Sequence, residues 1–513
     1  MDTTAGVTAG PLSVTPSVTS STPLNVFTNP YLGDNLSQSD SEDGDTNTIS
    51  ERLEELTLGQ QFPRHFGTSS NVLLVQTVLD FKERATGHKQ DIYQHFKRSE
   101  FWCTFPWQRD LQNNLGPLIF PDDDLLHDLI NDYFVHFEPY TPLLHRSTFE
   151  RSITEGLHLR DFGFGQVVLA VCAVASRCGN DPRNRPEGTD SEHSLGWPWY
   201  SQISLDTFSH VEAPRLYDLQ LCLMIIYLQA SAISESSWII LGIAMRLAQA
   251  KGVHRKRPGQ ARTIERELWI RAFWTIIAWD VYASMFLGRP RITTIDDFDV
   301  ELPADCDQEF WIWDNSTTET EIFVQPPDKP SKMSFWIHFI KLMQIAGLVC
   351  KLIYPIRKSE QSKVLGVEGM SRNQRAVMEL DSALNAWVGS VPDHVKWDPN
   401  RSDPVSLLQS TMLYTSYYWM QVHRKFIPGP GRETILNGFP SMAICANAAR
   451  SCIRIAQSCE IIHQAPVPPV LISAIMLLIN FWRDKRTNMS LDSGNDIREV
   501  HKCFELAKPF EKR

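Results

Sequence analysis

The side chains best suited to chemistry in this 513-residue chain form four groups. The first is a lone carboxylate, Asp280, in a run that otherwise carries Leu268, Phe273, Trp274, Ile277, Val281 and Met285. A charge buried among such residues is very costly unless a cation or hydrogen-bond donor meets it. Arg246, Arg255, Arg271 and Arg289 are the candidate partners. The second group is Cys445, Cys452 and Cys459, repeating at seven residues, with His463 four further on. Thiolates and imidazole suit a metal, but sevens on a helix stand about 10.5 Å apart. Only Cys459 and His463 could share an ion, so the stripe reads better as small buried core residues. The third group is acidic: Asp122-Asp123-Asp124, and Asp296-Asp297 with Asp299. Such runs can hold magnesium against a diphosphate, but the second lies between Pro290 and Pro303 and reads as a loop. The fourth is basic, His254-Arg255-Lys256-Arg257. It could serve nuclear import or touch phosphate; complementing a helix C-terminus is the preferred reading.

Catalytic signatures do not accompany these groups. The chain has no G-x-S-x-G and no H-E-x-x-H. Gly163-Phe164-Gly165 and Gly429-Pro430-Gly431 lack the strand and helix that flank a phosphate loop, so both read as turns. An enzyme is not expected.

Two helices must position Asp280 and the basic cluster. One covers Trp238 to Lys251, with Leu241, Met245 and Ala248 at helical spacing, Ser236 or Ser237 as N-cap and Gly252 at the C-terminal cap. The other starts in the acidic turn at Glu265 and Glu267 and stops at Gly288, before Arg289 and Pro290. Elsewhere, a helix is expected to follow an Asp122 cap, with others at 165–177, 215–232, 331–357, 371–387, 402–426, 438–465, 468–482 and 494–510, and an exposed loop at 181–200. No alternation that would build a sheet is evident. The fold class is all-α, a body of packed antiparallel helices.

Composition bounds the rest. Forty-nine basic against sixty acidic side chains give 49 − 60 = −11, so the whole chain presents no cationic footprint for a nucleic acid. Ten cysteines occur without a C-x-x-C pair, which suits free thiols inside the cell. No secretory leader is visible, and the apolar run from Val470 to Trp482 is too short to cross a bilayer, so a soluble chain with no membrane partner is expected. Residues 1–50 contain no Lys or Arg and are expected to be a disordered acidic Ser/Thr-rich tail. Leu24, Phe27, Tyr31 and Leu32 beside Asp34, Asp40, Glu42, Asp43 and Asp45 resemble an activation segment, though a plain flexible tail is the better reading. Short helices at 50–58 and 66–82 and a linker to residue 120 complete a second segment, 51–120; the folded body is 121–513.

Gly242-Ile243-Ala244 with Arg246 and Ala248, then Gly252-Val253-His254-Arg255, resembles the "GIA-R-A…G-HR" helix end of the fungal-specific transcription factor domain, the middle homology region of zinc binuclear cluster regulators. Arg271, Asp280, Gly288-Arg289-Pro290, Asp297 and Asp299 continue the match. So does Leu143-Leu144-His145-Arg146, and so does His423-Arg424-Lys425, where lysine replaces the family's proline. The resemblance covers roughly residues 66–510. It implies nuclear location, control of RNA polymerase II transcription, and partners among co-regulators, with a homodimer allowed. It assigns those motif residues structural or regulatory roles. DNA and zinc binding would pass through a six-cysteine module that these residues lack, leaving a partial gene product, a variant, or a cluster on sequence not given. No cofactor is expected in this chain. A small metabolite in an aromatic-lined cavity is the expected effector. The alternatives are a stand-alone interaction protein and, remotely, an all-α class I terpene synthase-like enzyme.

Overall fold

A computed structural model describes residues 116–204, 213–229, 235–257, 259, 261–314, 320–355, 369–420, 422–427, 440–458, 467–487 and 493–508. The tail, the expected helices at 50–58 and 66–82, Cys459, His463 and Gly429–Gly431 lie outside them. Thirteen helices occur among the described residues: α1 Asp123–His136, α2 Arg146–Thr154, α3 Phe162–Ala175, α4 Trp197–Tyr200, α5 Leu216–Gln229, α6 Glu235–Lys251, α7 Ile264–Leu287, α8 Met333–Ile353, α9 Gly369–Ser390, α10 Pro404–Trp419, α11 Ser441–Gln457, α12 Val467–Thr487 and α13 Ser493–Ala507. The fold is all-α apart from one antiparallel ribbon, β1 Trp311–Asp314 with β2 Thr320–Phe323, in which Trp311 faces Phe323. No sheet was expected, and four-residue strands are too short to show an alternation.

Local chemistry sets the ends of these helices. Asp161 caps α3 by accepting from Phe164 N at 3.0 Å, and Asp403 does the same for Ser406 N ahead of Pro404. Asp122 precedes α1 but makes no side-chain cap; its carboxylate faces Arg183 at 3.4 Å instead. Helix α6 already includes Ser236 and Ser237, so neither is its N-cap. Its end matches expectation, with Gly252 left-handed at φ 80. Gly163 and Gly165 are not a turn but the first turn of α3, because Asp161 opens the helix there. The 181–200 segment is not a free loop either. Asn184 and Trp199 are buried, joined by a 3.0 Å bond from Trp199 Nε1, and α4 forms at its end.

Consecutive helices pack on one another: α5 on α6, α7 on α8, α8 on α9, α10 on α11, and α12 on both α11 and α13. The main core gathers apolar side chains from α1 through α10. Every residue of α3 after Phe162 is buried, which its small side chains allow. A second core joins α11, α12 and α13 through Ala449, Ile453, Val470, Leu477, Val500 and Cys503. Cys445 and Cys452 face that interior, as the core reading of the cysteine stripe requires. Helices α7 and α8 carry windows apolar and long enough to cross a membrane, longer than the 470–482 run; 67% and 61% of those windows are buried inside the body, as core helices are.

Candidate functional site

Helix α7 places the residues singled out by sequence. Thr263 caps it by accepting from Arg266 N at 3.1 Å, and Gly288 ends it in the left-handed region at φ 67. The chain then turns back along the helix, which sets Asp280. This carboxylate has no solvent exposure, and both its oxygens accept from Ile292 N at 3.2 Å. Its cation is Arg291, with Nε 3.7 Å from Oδ2. None of the four expected arginines fills that role. Arg246 donates to Gln249, Arg255 pairs with Asp299 at 3.3 Å, Arg271 pairs with Glu267, and Arg289 lies over the Trp238 ring at 5.0 Å. Burial outweighs the donors around Asp280 and pushes its carboxyl up to about 6.

The other motif residues divide among four places. Gly252, His254, Arg255 and Asp299 form a stitch between the end of α6 and the strand-like segment after α7. His254 O accepts from Asp299 N and Val300 N, while Asp299 Oδ1 accepts from Lys256 N at 2.8 Å. Arg255 also borders a smaller cleft of about 270 Å³ with Lys251, Arg257 and Arg266. Asp297 closes a single turn: its Oδ2 accepts from Thr294 N at 2.6 Å and from the hydroxyls of Thr293 and Thr294. Those bonds, the Thr294 amide foremost, hold its carboxyl below the usual range. The acidic runs are thus a helix start and a loop.

Arg271 belongs to a closed polar cluster. Its Nε is 3.0 Å from Glu267 Oε1, with neither side chain exposed. Glu267 also accepts from Ala304 N at 2.9 Å and faces Arg262 at 3.1 Å. The guanidinium of Arg271 lies 4.4 Å from the Trp311 ring centre, and His145 stacks on that ring at 4.8 Å. Next to it Glu138, unmarked by the sequence, accepts from Leu143 N, Leu144 N and Gln308 Nε2. Burial pushes the Glu138 carboxyl up to about 8 and the His145 imidazole down to about 4.

Gly288, Arg289 and Pro290 open onto something different, a cleft of about 720 Å³ between α7, α8 and the turn after α10. Its walls are apolar, with Ile277, Val281, Met285, Phe298, Leu348 and Trp419. Arg289, Arg291, Lys351, Arg424 and Lys425 also line it, and no carboxylate does among the described residues. Lys351 meets Asp296 at 2.8 Å outside the lining, and Lys425 Nζ donates to Ile353 O. Gly347 makes room for Arg291: a Cβ there would stand 2.5 Å from its Nη1. Ser284 Oγ, in a residue only 4% exposed, has no hydrogen-bond partner among the described residues. Arg291 and the convergence of Arg424 and Lys425 on the cleft were missed by sequence.

Zinc does not fit these residues. No group of three or more His, Cys, Asp or Glu among the described residues could hold a metal ion.

The described residues form a helical body with a basic-lined cleft of about 720 Å³. The profile of the fungal-specific transcription factor domain matches residues 130–389, and the chain belongs to that family. Cutinase transcription factor 1 alpha of Fusarium vanettenii is 26% identical over 347 residues, 66% of this chain and 36% of its own length. Activator of stress genes 1 of Saccharomyces cerevisiae is 30% identical over 254 residues, 48% of this chain and 24% of its own. An uncharacterised transcriptional regulatory protein of Schizosaccharomyces pombe is 24% identical over 492 residues, 89% of this chain and 58% of its own. The chain thus spans 24% to 58% of the length of these relatives. No solved structure matches it. Nothing in these similarities supports the terpene synthase-like alternative.

Proposed function

We propose that this chain is the helical regulatory and interaction domain of a nuclear regulator of RNA polymerase II transcription. The observation that carries the proposal is the family match over residues 130–389, which include most of the cleft between α7 and α8. In this reading the body is not an enzyme. It receives a small effector in the cleft and offers its surface to co-regulators or to a second copy of itself. The motif residues support that role structurally: Asp280, Gly288, Arg289 and Pro290 shape the cleft, while Gly252, His254, Arg255, Arg271, Asp297 and Asp299 hold the segments around it. DNA contact and zinc belong to a six-cysteine module that these 513 residues do not contain.

The test tethers the chain to a promoter through a foreign DNA-binding domain and measures a reporter under basal and activated conditions. A reproducible rise or fall of reporter output is expected. Unchanged output in both settings would sink the proposal. The net charge of −11 and the lack of any C-x-x-C pair favour a second reading, an interaction protein that binds no DNA by itself. A mobility-shift assay of the untethered chain tests what the two readings share: specific DNA binding would overturn both.

A further inference from the structure

We propose that the 720 Å³ cleft binds a small organic anion with an apolar body, its oxyanion meeting the basic rim and its body lying against α7 and α8. The inference rests on reading the chain as an effector-responsive domain and names the class of effector.

Sign is the first support. The chain carries −11 overall, yet five lining residues are cationic and none of the described lining residues is acidic. Clustered like charges repel, and a low-dielectric wall strengthens their pull on an anion. An unused donor is the second support. Ser284 Oγ is buried at the cleft without a hydrogen-bond partner among the described residues, and the Arg291 guanidinium, whose Nε is turned to Asp280, lines the same cleft. A buried donor left unmade costs about 1–3 kcal/mol, and an oxyanion oxygen can accept from both. Arg291 is held at the cleft from behind, by Asp280 at 3.7 Å and by the space above Gly347.

The apolar walls decide against a bare inorganic ion. Met285, Phe286, Ile295 and Leu348, which keep some exposure, would stay wet under a phosphate or sulfate, whereas an acyl or aryl body would cover them. The volume falls within the roughly 300–1,000 Å³ of small-molecule sites. Carboxylate and phosphate monoester headgroups share the chemistry this rim recognises, and the test separates them.

Calorimetric titration of the purified full chain with decanoate, decyl phosphate, decanol and inorganic phosphate tests the proposal. Decanoate or decyl phosphate is expected to bind at least tenfold more tightly than decanol and than inorganic phosphate; the tighter of the two names the headgroup. Lys351 and Arg424 are exposed enough to replace without disturbing the core. The double variant Lys351→Gln/Arg424→Gln should lose at least tenfold in anion affinity and leave decanol binding unchanged. Equal binding of decanol and decanoate, an unaffected double variant, or no binding by any of the four overturns the proposal. The tethered reporter is scored separately. A chain that moves the reporter but binds no probe loses the anion and keeps the regulatory role; a chain that binds but leaves the reporter silent does the reverse.

Discussion

The two ends of α7 handle buried charge differently. Near its start, Glu267 and Arg271 are both inaccessible, 3.0 Å apart, and wrapped by Arg262, Ala304 N and the Trp311 face, with Arg271 Nη1 left without a hydrogen-bond partner among the described residues. Near its end, Asp280 has a cation only at 3.7 Å, and that cation and Ser284, whose Oγ has no partner among the described residues, both line the cleft. Buried charges paired at hydrogen-bond distance inside a packed body add specificity to a fold. An ion pair that is loose on one side, beside a cavity, leaves room for a ligand. The first end of the helix is framework; the second borders the proposed site.

Breaking the closed end should have the largest effect. Glu267→Ala strands Arg271 inside the body, and a loss of about 4 kcal/mol in urea unfolding is expected. A loss no greater than that of Asp280→Ala would erase the contrast. Asp280→Ala removes the acceptor of Ile292 N and the partner of Arg291, but Arg291 can be hydrated from the cleft, so the expected loss is about 2 kcal/mol. The third test uses pH. The Glu138 carboxyl is raised from 4.5 to about 8 in the fold, so the folded state binds the extra proton between those values. Its contribution is fully present below pH 4.5 and is lost as pH rises toward 8. Glu138→Gln removes that dependence, and its advantage over wild type should grow from pH 5 to pH 8, reaching about 1 kcal/mol or more. A constant difference across that range would place the proton elsewhere. The smallest effect is expected of Ser284→Ala. It deletes a hydroxyl that has no described partner, so the free energy of unfolding should hold or rise, falling by no more than about 0.5 kcal/mol. A larger loss would show that the hydroxyl is satisfied and the cleft less open than described.

The ends of α6 and α7 were legible because glycine caps are local signals: Gly252 and Gly288 both adopt the left-handed conformation their positions suggested. The burial of Asp280 was legible too, from the apolar residues at helical spacing around it. Its partner was not. Helical spacing looks along the helix, whereas Arg291 arrives on the chain that folds back after Gly288. The cleft was less legible still, since Lys351 and Arg424 come from segments far apart in sequence and meet only in the packed body. Lys425 could be seen as a departure from the family's proline, but not as a lining cation. Nothing local marks Glu138 as enclosed; its environment is completed by Gln308, from the chain beyond α7.

Cys350 gives the cleft a consequence of its own. Among the described cysteines, Cys445, Cys452 and Cys503 are buried, with thiols pushed up to about 12, and are closed to alkylating reagents. Cys178 is exposed, and Cys350 is partly accessible and lines the cleft beside Arg291. An occupant would shield Cys350 while leaving Cys178 untouched. The ratio of iodoacetamide labelling at these two sulfurs, read by mass spectrometry on the intact protein from cells, therefore reports whether the cleft is filled, with no need to know what fills it.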